Sequence, residues 1–330
     1  MRIGTRGSAL ALAQAGHVSE LLGGAELITI TTSGDSDARP PARGEDKSRW
    51  VDTIEQALLA GEIDLAVHSA KDVPSELAAG LSLLGAPARA GAEDVLCGAP
   101  TLEALPAGAR VGTSSVRRAA QLRAAREDLR VVAIGGNVDT RLRRLGERRE
   151  PRERGERTGQ GEQRERRGQG GSHAGEDDLQ AIVLARAGLQ RLEREEEIGA
   201  VLDPARFVPA PGQGVLALEG RTGDADLEGA VRAITDADAF ACLRAERAVA
   251  RELGAGCHTP LGAHAVPAGC GCLTLRAWIG LPDGSEWCSD ELLGGFYDPD
   301  ALGRRVAERM KAAGAEDLLR RAEEMAVEHA

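Results

Sequence analysis

The chain has 330 residues, of which 42% are apolar and only 2% aromatic, with a formal net charge of −11. That length holds two or three domains with cores of Leu, Val, Ile and Ala, and the acidic balance excludes a protein whose whole surface seeks nucleic acid. No apolar run approaches the ~20 residues of a membrane span, the start Met1-Arg2-Ile3-Gly4 lacks the apolar stretch of a signal peptide, and six scattered cysteines fit a reducing cytoplasm.

Taken in chain order, Arg2–Gly4 reads as a strand, and Ser8 as the N-cap of a helix over Ala9–Leu22. Leu27–Thr31 alternates as a strand, Asp52–Ala60 is amphipathic, and Ile63–Val67 is a buried strand. The same rhythm then repeats. Arg110–Gly112 (strand), Ser115–Arg126 (helix), Leu129–Ile134 (strand) and Val138–Leu145 (helix) precede a strand at Leu179–Ala185 and a helix at Arg186–Leu192. Val215–Leu218 reads as a strand returning to the first unit. The pattern predicts two α/β units, each on a mostly parallel sheet.

Beyond Asp236 the character changes to α+β. A helix at Ala239–Leu253 precedes strands at Leu261–Val266, Leu273–Gly280 and Glu286–Leu293, the last two joined by the turn Leu281-Pro282-Asp283-Gly284. Helices at Pro299–Ala313 and Glu316–His329 close the chain. Gly146–Asp177 is almost wholly Arg, Glu, Gln and Gly, and predicts a solvated, disordered insertion rather than a nucleic-acid arm. Three domains are expected: 1–88 with 214–234, then 89–213, then 235–330.

Three segments put small polar residues and cations where a strand gives way to a helix, the usual ligand crevice of open α/β sheets. They are Gly4-Thr5-Arg6-Gly7-Ser8, Gly112-Thr113-Ser114-Ser115-Val116-Arg117-Arg118 and Gly136-Asn137-Val138-Asp139-Thr140-Arg141. Helix N-termini and Arg forks both favour carboxylates, so the set points to a ligand with several of them; the competing reading is structural ion pairing. Among these cations lies His68-Ser69-Ala70-Lys71-Asp72-Val73-Pro74, whose Asp72 could stabilise a developing cation or move protons. Gly256-Cys257-His258-Thr259 sets a thiol on a glycine-flanked loop beside a histidine. Cys270-Gly271-Cys272 with Cys288 raises a zinc alternative, but the C-x-C spacing is not the common one, and no metal is expected.

In order and spacing, these segments resemble the hydroxymethylbilane synthase (porphobilinogen deaminase) family over nearly the full chain. The resemblance rests on Thr5-Arg6-Gly7-Ser8 with Ala11-Leu12-Ala13-Gln14, on His68–Pro74, on Gly112–Arg118, on Pro211-Gly212-Gln213-Gly214, and on Gly256–Gly262. It implies two periplasmic-binding-protein-like α/β domains plus a C-terminal α+β domain with a three-stranded antiparallel sheet. It also implies a monomeric cytoplasmic transferase of tetrapyrrole biosynthesis, joining four porphobilinogen molecules with release of ammonia. A dipyrromethane would be attached through Cys257 and held by Lys71, Asp72, Thr113, Ser114, Ser115, Arg117, Arg118 and Gly136. Asp72 would be catalytic, and Arg6, Ser8, Gln14, Arg141 and Gln213 would bind substrate. No nucleic acid or membrane partner is implied.

The chain departs from the family pattern at Gly135, where the family usually has Arg, and at Ser33. The lid reads Glu45-Asp46-Lys47-Ser48-Arg49-Trp50, keeping a cation in Lys47 and an aromatic in Trp50. Each lost charge-assisted contact is worth about 1.5–3 kcal/mol, so lowered turnover is expected. The alternative function is a degenerate paralogue acting as a non-catalytic bilobal anion-binding protein.

Overall fold

A computed structural model describes residues 1–32, 51–147, 178–256, 259–269 and 271–328. Its strands form three sheets. The first contains β1 (Arg2–Thr5), β2 (Glu26–Thr29), β3 (Leu65–Ser69), β4 (Leu81–Gly85) and β10 (Leu216–Arg221), in the order β2-β1-β3-β10-β4. The second contains β5 (Asp94–Cys97), β6 (Arg110–Gly112), β7 (Arg130–Val132), β8 (Ala181–Ala185) and β9 (Ala200–Val201), in the order β7-β6-β8-β5-β9. Each is mostly parallel, with one reversed strand. β10 runs antiparallel to β3 and β4, and β5 antiparallel to β8 and β9. In each sheet the reversed strand is the one that arrives from the other unit, entering from the opposite end.

Side chains alternate across the first sheet. Leu65, Val67, Leu216 and Leu218 pack against α1 (Ala9–Leu21), and against Leu227 and Val231 of a helix at Ala225–Ile234. Ala66 and Leu81 face α2 (Asp52–Leu59) on the other side. In the second sheet Val111, Ala181 and Val183 pack on Leu122 of α3 (Val116–Ala125). Ile182 and Leu184 pack on Leu142 and Leu145 of α4 (Val138–Glu147) and Leu189 of α5 (Arg186–Arg191). The helix at Ala225–Ile234 is α6; like β4, β5 and β9, it lies outside the elements read from the sequence. Because α4 runs through Glu147, the Arg/Glu-rich tract begins in a helix; its remainder lies outside the described residues.

The third sheet is antiparallel, β11 (Leu261–Pro267), β12 (Cys272–Gly280) and β13 (Trp287–Gly295) in that order. Leu273, Leu275, Ala277 and Ile279 bury against α7 (Ala237–Glu252), α8 (Pro299–Ala312) and α9 (Ala315–Glu328). No described helix is long and apolar enough to cross a membrane. We propose one domain per sheet, with the boundaries expected from the sequence.

Two segments cross between the first and second sheets, and they meet. The Ala90 amide donates to the Gly214 carbonyl at 3.1 Å. Gly214 has φ +86°, and a Cβ there would stand 2.5 Å from the Ala90 oxygen, so only glycine allows the approach. Glu246 of α7 joins this crossing to the third sheet. Its fully buried carboxylate accepts from the Gly212 amide (2.7 Å), the Ala265 amide (2.8 Å) and Arg89 Nη1 (2.7 Å).

Candidate active site

Between the three sheets lies a cavity of about 650 Å³, within the range of small-molecule sites. Its lining brings together Lys71, Asp72, Ser114, Ser115, Arg117, Arg118, Arg141 and Gln213. A smaller cavity of about 80 Å³ gathers Arg6, Ser8, Gln14 and His68, and shares Asp72 with the larger one. Thr113 is buried beneath the site, accepting from the Ser115 amide at 3.2 Å. Cys257, His258, Lys47, Trp50, Ser33 and Cys270 lie outside the described residues; Gly256 and Thr259, on either side of the Cys257-His258 pair, line the large cavity.

Local chemistry sets each wall. Ser8 caps α1, accepting from the Ala11 amide at 3.2 Å, and Ser115 caps α3 through the Arg118 amide at 3.4 Å. Gln14, buried on α1, donates to Ser69 Oγ at 2.9 Å and ties the helix to the end of β3. Gly136 has φ +100°, and a Cβ there would meet Thr140 Cγ2 at 2.7 Å. Glycine therefore lets the chain turn into α4, where Asn137 Oδ1 accepts from the Thr140 amide at 2.9 Å. At Gly135 a Cβ would meet nothing within 4 Å, and Arg144 Nη1 donates to its carbonyl at 3.2 Å.

The cations are not alike. Arg117 and Arg118 are buried and converge on Asp94, which opens β5. Arg117 Nη1 donates to Asp94 Oδ2 at 2.8 Å and to the Val208 carbonyl at 2.8 Å, while Arg118 Nε donates to Asp94 Oδ1 at 2.9 Å. Gln213 Nε2 donates to the same carboxylate at 2.8 Å and to the Ala92 carbonyl at 2.6 Å. Burial pushes the Asp94 carboxyl up, but the two guanidiniums outweigh it and hold the group well below the usual range. The pair of arginines therefore presents one net positive charge to the cavity. Gln213 lies inside this network, 1% exposed. Arg141 Nη2 donates to Ser114 Oγ at 2.9 Å, and its buried Nε has no hydrogen-bond partner among the described residues. Burial, then Arg118 and Arg144, push its pKa down. Burial also pushes the Lys71 ammonium down, to about 8, against the opposing pull of Asp72.

Asp94 was not among the residues singled out from the sequence; it opens β5, a strand buried throughout that lies outside the elements read from it. Arg247 was also missed. It reaches from α7 to the carbonyls of Val73 (3.3 Å), Pro74 (2.6 Å) and Ser75 (3.1 Å), and so fixes the backbone that follows Asp72. Nothing in its local sequence distinguishes it from a surface arginine.

Comparisons with known proteins identify the family. The family model described as "Porphobilinogen deaminase, dipyromethane cofactor binding domain" matches residues 1–155 and 159–229, and "Porphobilinogen deaminase, C-terminal domain" matches 240–312. A porphobilinogen deaminase of Roseiflexus castenholzii is 41% identical over 328 residues, covering 97% of this chain and 98% of the relative. One of Thermus thermophilus is 41% identical over 325 residues, covering 96% and 97%. Among solved structures, immunogenic lipoprotein A from Vibrio vulnificus has a TM-score of 0.39 and 11% identity, over 72% of this chain and 96% of that one, a likeness too slight to bear on function. Nothing found favours the non-catalytic alternative. With both halves of the family matched in order, and relatives of this identity along nearly its whole length, the chain belongs to the porphobilinogen deaminase family.

Proposed function

We propose that the chain is a hydroxymethylbilane synthase, acting as a cytoplasmic monomer that condenses four porphobilinogen molecules head to tail with loss of ammonia. The observation that carries this reading is the placement of one carboxylate, Asp72, among Lys71, Arg118 and Arg141 on a cavity that the Cys257 loop borders. Cys97, Cys242 and Cys288 are free thiols, which suits a reducing compartment.

A dipyrromethane on Cys257 fits the lining: its carboxylates match the cation set, and Arg141 Nε, without a hydrogen-bond partner among the described residues, supplies a buried donor for one of them. It would supply the pyrrole carbon on which the chain is extended. Lys71, Arg118 and Arg141 would hold acetate and propionate groups by charge-assisted hydrogen bonds, with Ser114 positioning Arg141 and Asp94 positioning Arg118. In the smaller cavity, Arg6, Ser8 and Gln14 would orient the incoming substrate. Asp72, reached from both cavities, would stabilise the cation that develops on the pyrrole as ammonia departs, then accept the ring proton. Gly135 offers no side-chain cation, so turnover below that of an arginine-bearing relative belongs to this reading, with Arg144 bringing a guanidinium to its carbonyl.

Intact-protein mass spectrometry tests the assignment. Protein supplied with porphobilinogen should gain the mass of a dipyrromethane, and Cys257→Ser should lose the gain entirely. An unmodified thiol after adequate supply, or an adduct that survives the substitution, overturns it. A second outcome follows from Lys71. Its charge falls away as pH rises through about 8, so KM for porphobilinogen should climb above that pH while Lys71→Arg, permanently charged, flattens the climb. A KM that is level across this range in the parent protein contradicts the role given to Lys71.

A further inference from the structure

Behind Asp72 lies a buried cluster to which nothing above gives a role. β10 pairs with β3 so that Glu219 faces Ala66 and Ala217 faces His68; His68 and Glu219 are therefore diagonal neighbours on one face of the sheet. His68 Nε2 stands 3.0 Å from Glu219 Oε2, with the side chains 6% and 0% exposed. The helix covering that face, α2, brings Glu55 to the same point. Burial, then Glu219, raises the Glu55 pKa, although its Oε1 accepts from the Ala78 amide at 3.3 Å. From α7, Arg247 adds a positive charge acting on Glu219.

A carboxylate in the middle of a sheet is costly to bury, and an apolar pair would fill the same face without that penalty. Two carboxyls in contact cannot both ionise readily, which is why Glu219 adds to the upward push of burial on Glu55. On its other side His68 lines the small cavity together with Asp72 and Arg6. His68 Nε2 and both Glu219 oxygens are buried without a hydrogen bond among the described residues, an arrangement that calls for a functional reason; Nδ1 is the second ring nitrogen through which a proton can pass.

We infer that His68 and Glu219 form a proton relay behind Asp72, holding the proton released at each carbon–carbon bond formation and returning it to departing ammonia. The inference rests on Asp72 acting at the reacting centre. When the new carbon–carbon bond has formed, the pyrrole α-carbon gives its proton to Asp72. The proton passes through the small cavity to Nδ1 of His68 as the Nε2 proton moves to Glu219. In the reverse sense the relay protonates ammonia, which leaves as ammonium. For each addition one C–N and one C–H bond break, one C–C and one N–H bond form, and no electron is gained or lost.

The test uses purified, cofactor-bearing protein. Glu219→Gln and His68→Asn should each lower kcat by about a hundred-fold or more with KM changed less than about two-fold. The double variant should lose no more than either single one, since a relay acts as a unit. The pH dependence of kcat should flatten in both. Unchanged kcat and pH profile in folded Glu219→Gln, or losses that multiply in the double variant, overturn the relay. If neither variant folds, the rate of the parent protein in mixed light and heavy water decides: a curved dependence on deuterium fraction supports several moving protons, and a straight line refutes the relay. An Asp72→Asn variant with undiminished kcat would instead sink the role given to Asp72. Loss of activity there, with Glu219→Gln unaffected, removes the relay alone.

Discussion

Asp72→Asn is expected to leave a folded protein whose kcat falls by about 10²–10⁴-fold. The side chain sits on the short helical turn Ala70–Asp72 that ends β3, where both cavities reach it. Asn has the same shape and keeps one hydrogen-bonding oxygen, so the turn and the Arg247 contacts that follow it should survive. What disappears is the negative charge opposite a developing cation and the base that would accept its proton. KM should move little, because the surrounding cations proposed to hold the substrate carboxylates remain. Rapid-quench measurement of the first addition separates this from a fault in cofactor loading, which mass spectrometry reads independently. Asp72→Glu should recover part of the loss. A first-addition rate within about three-fold of the parent in Asp72→Asn would show that charge at this position is dispensable, since even the weakest general-base contributions exceed that.

Asp94→Asn should be the most damaging change outside the chemistry. The carboxylate is 1% exposed and neutralises one of two buried guanidiniums. Removing it leaves Arg117 and Arg118 uncompensated, and breaking a buried pair in this way costs about 3–5 kcal/mol. For a chain of this size the melting temperature should fall by roughly 10 °C. The sign of the pH dependence follows from the depressed pKa of Asp94. Its stabilisation is complete above the ordinary carboxylate range and is lost only as pH falls through the lower folded-state value, in strong acid. The Asn variant should therefore be destabilised throughout the neutral range, and the gap should close only in strong acid. Thermal and urea unfolding across pH check this; equal stability at neutral pH would mean the arginines find other partners.

Local signals carried well from sequence to structure, and non-local ones did not. Ser8 caps its helix as read, and Ser115, read as the first residue of its helix, caps it from one position outside; a cap is decided within four residues. The return of β10 to the first sheet was legible in the Pro-Gly-rich approach to Val215. By contrast β4 and β5 are short, make only antiparallel pairings with strands distant in sequence, and show no period to read. For α6 the signal existed: Asp224 caps it, and Leu227 and Val231 stand one turn apart. At the site, Arg117, Arg118 and Gln213 read as ligand-binding groups, yet their polar atoms are drawn to Asp94, more than twenty residues away in sequence. No spacing rule announces such a partner. Lys71, Asp72 and Arg141, whose position follows from the strand or helix that bears them, lie on the cavity lining.

The crossing of the chain between sheets has a consequence for how the protein is made. All five strands of the second sheet lie between Asp94 and Ala185 or in the short β9 at Ala200–Val201, so that sheet can close on residues already synthesised. The first sheet cannot: β4 finds its neighbour only in β10, at Leu216–Arg221. On the ribosome, where domains fold in the order their residues emerge, the N-terminal half must wait with an unfilled gap between β3 and β4 while the inserted unit folds first. Chaperone binding to nascent chains should be heaviest in that interval, before residue 216 has left the exit tunnel.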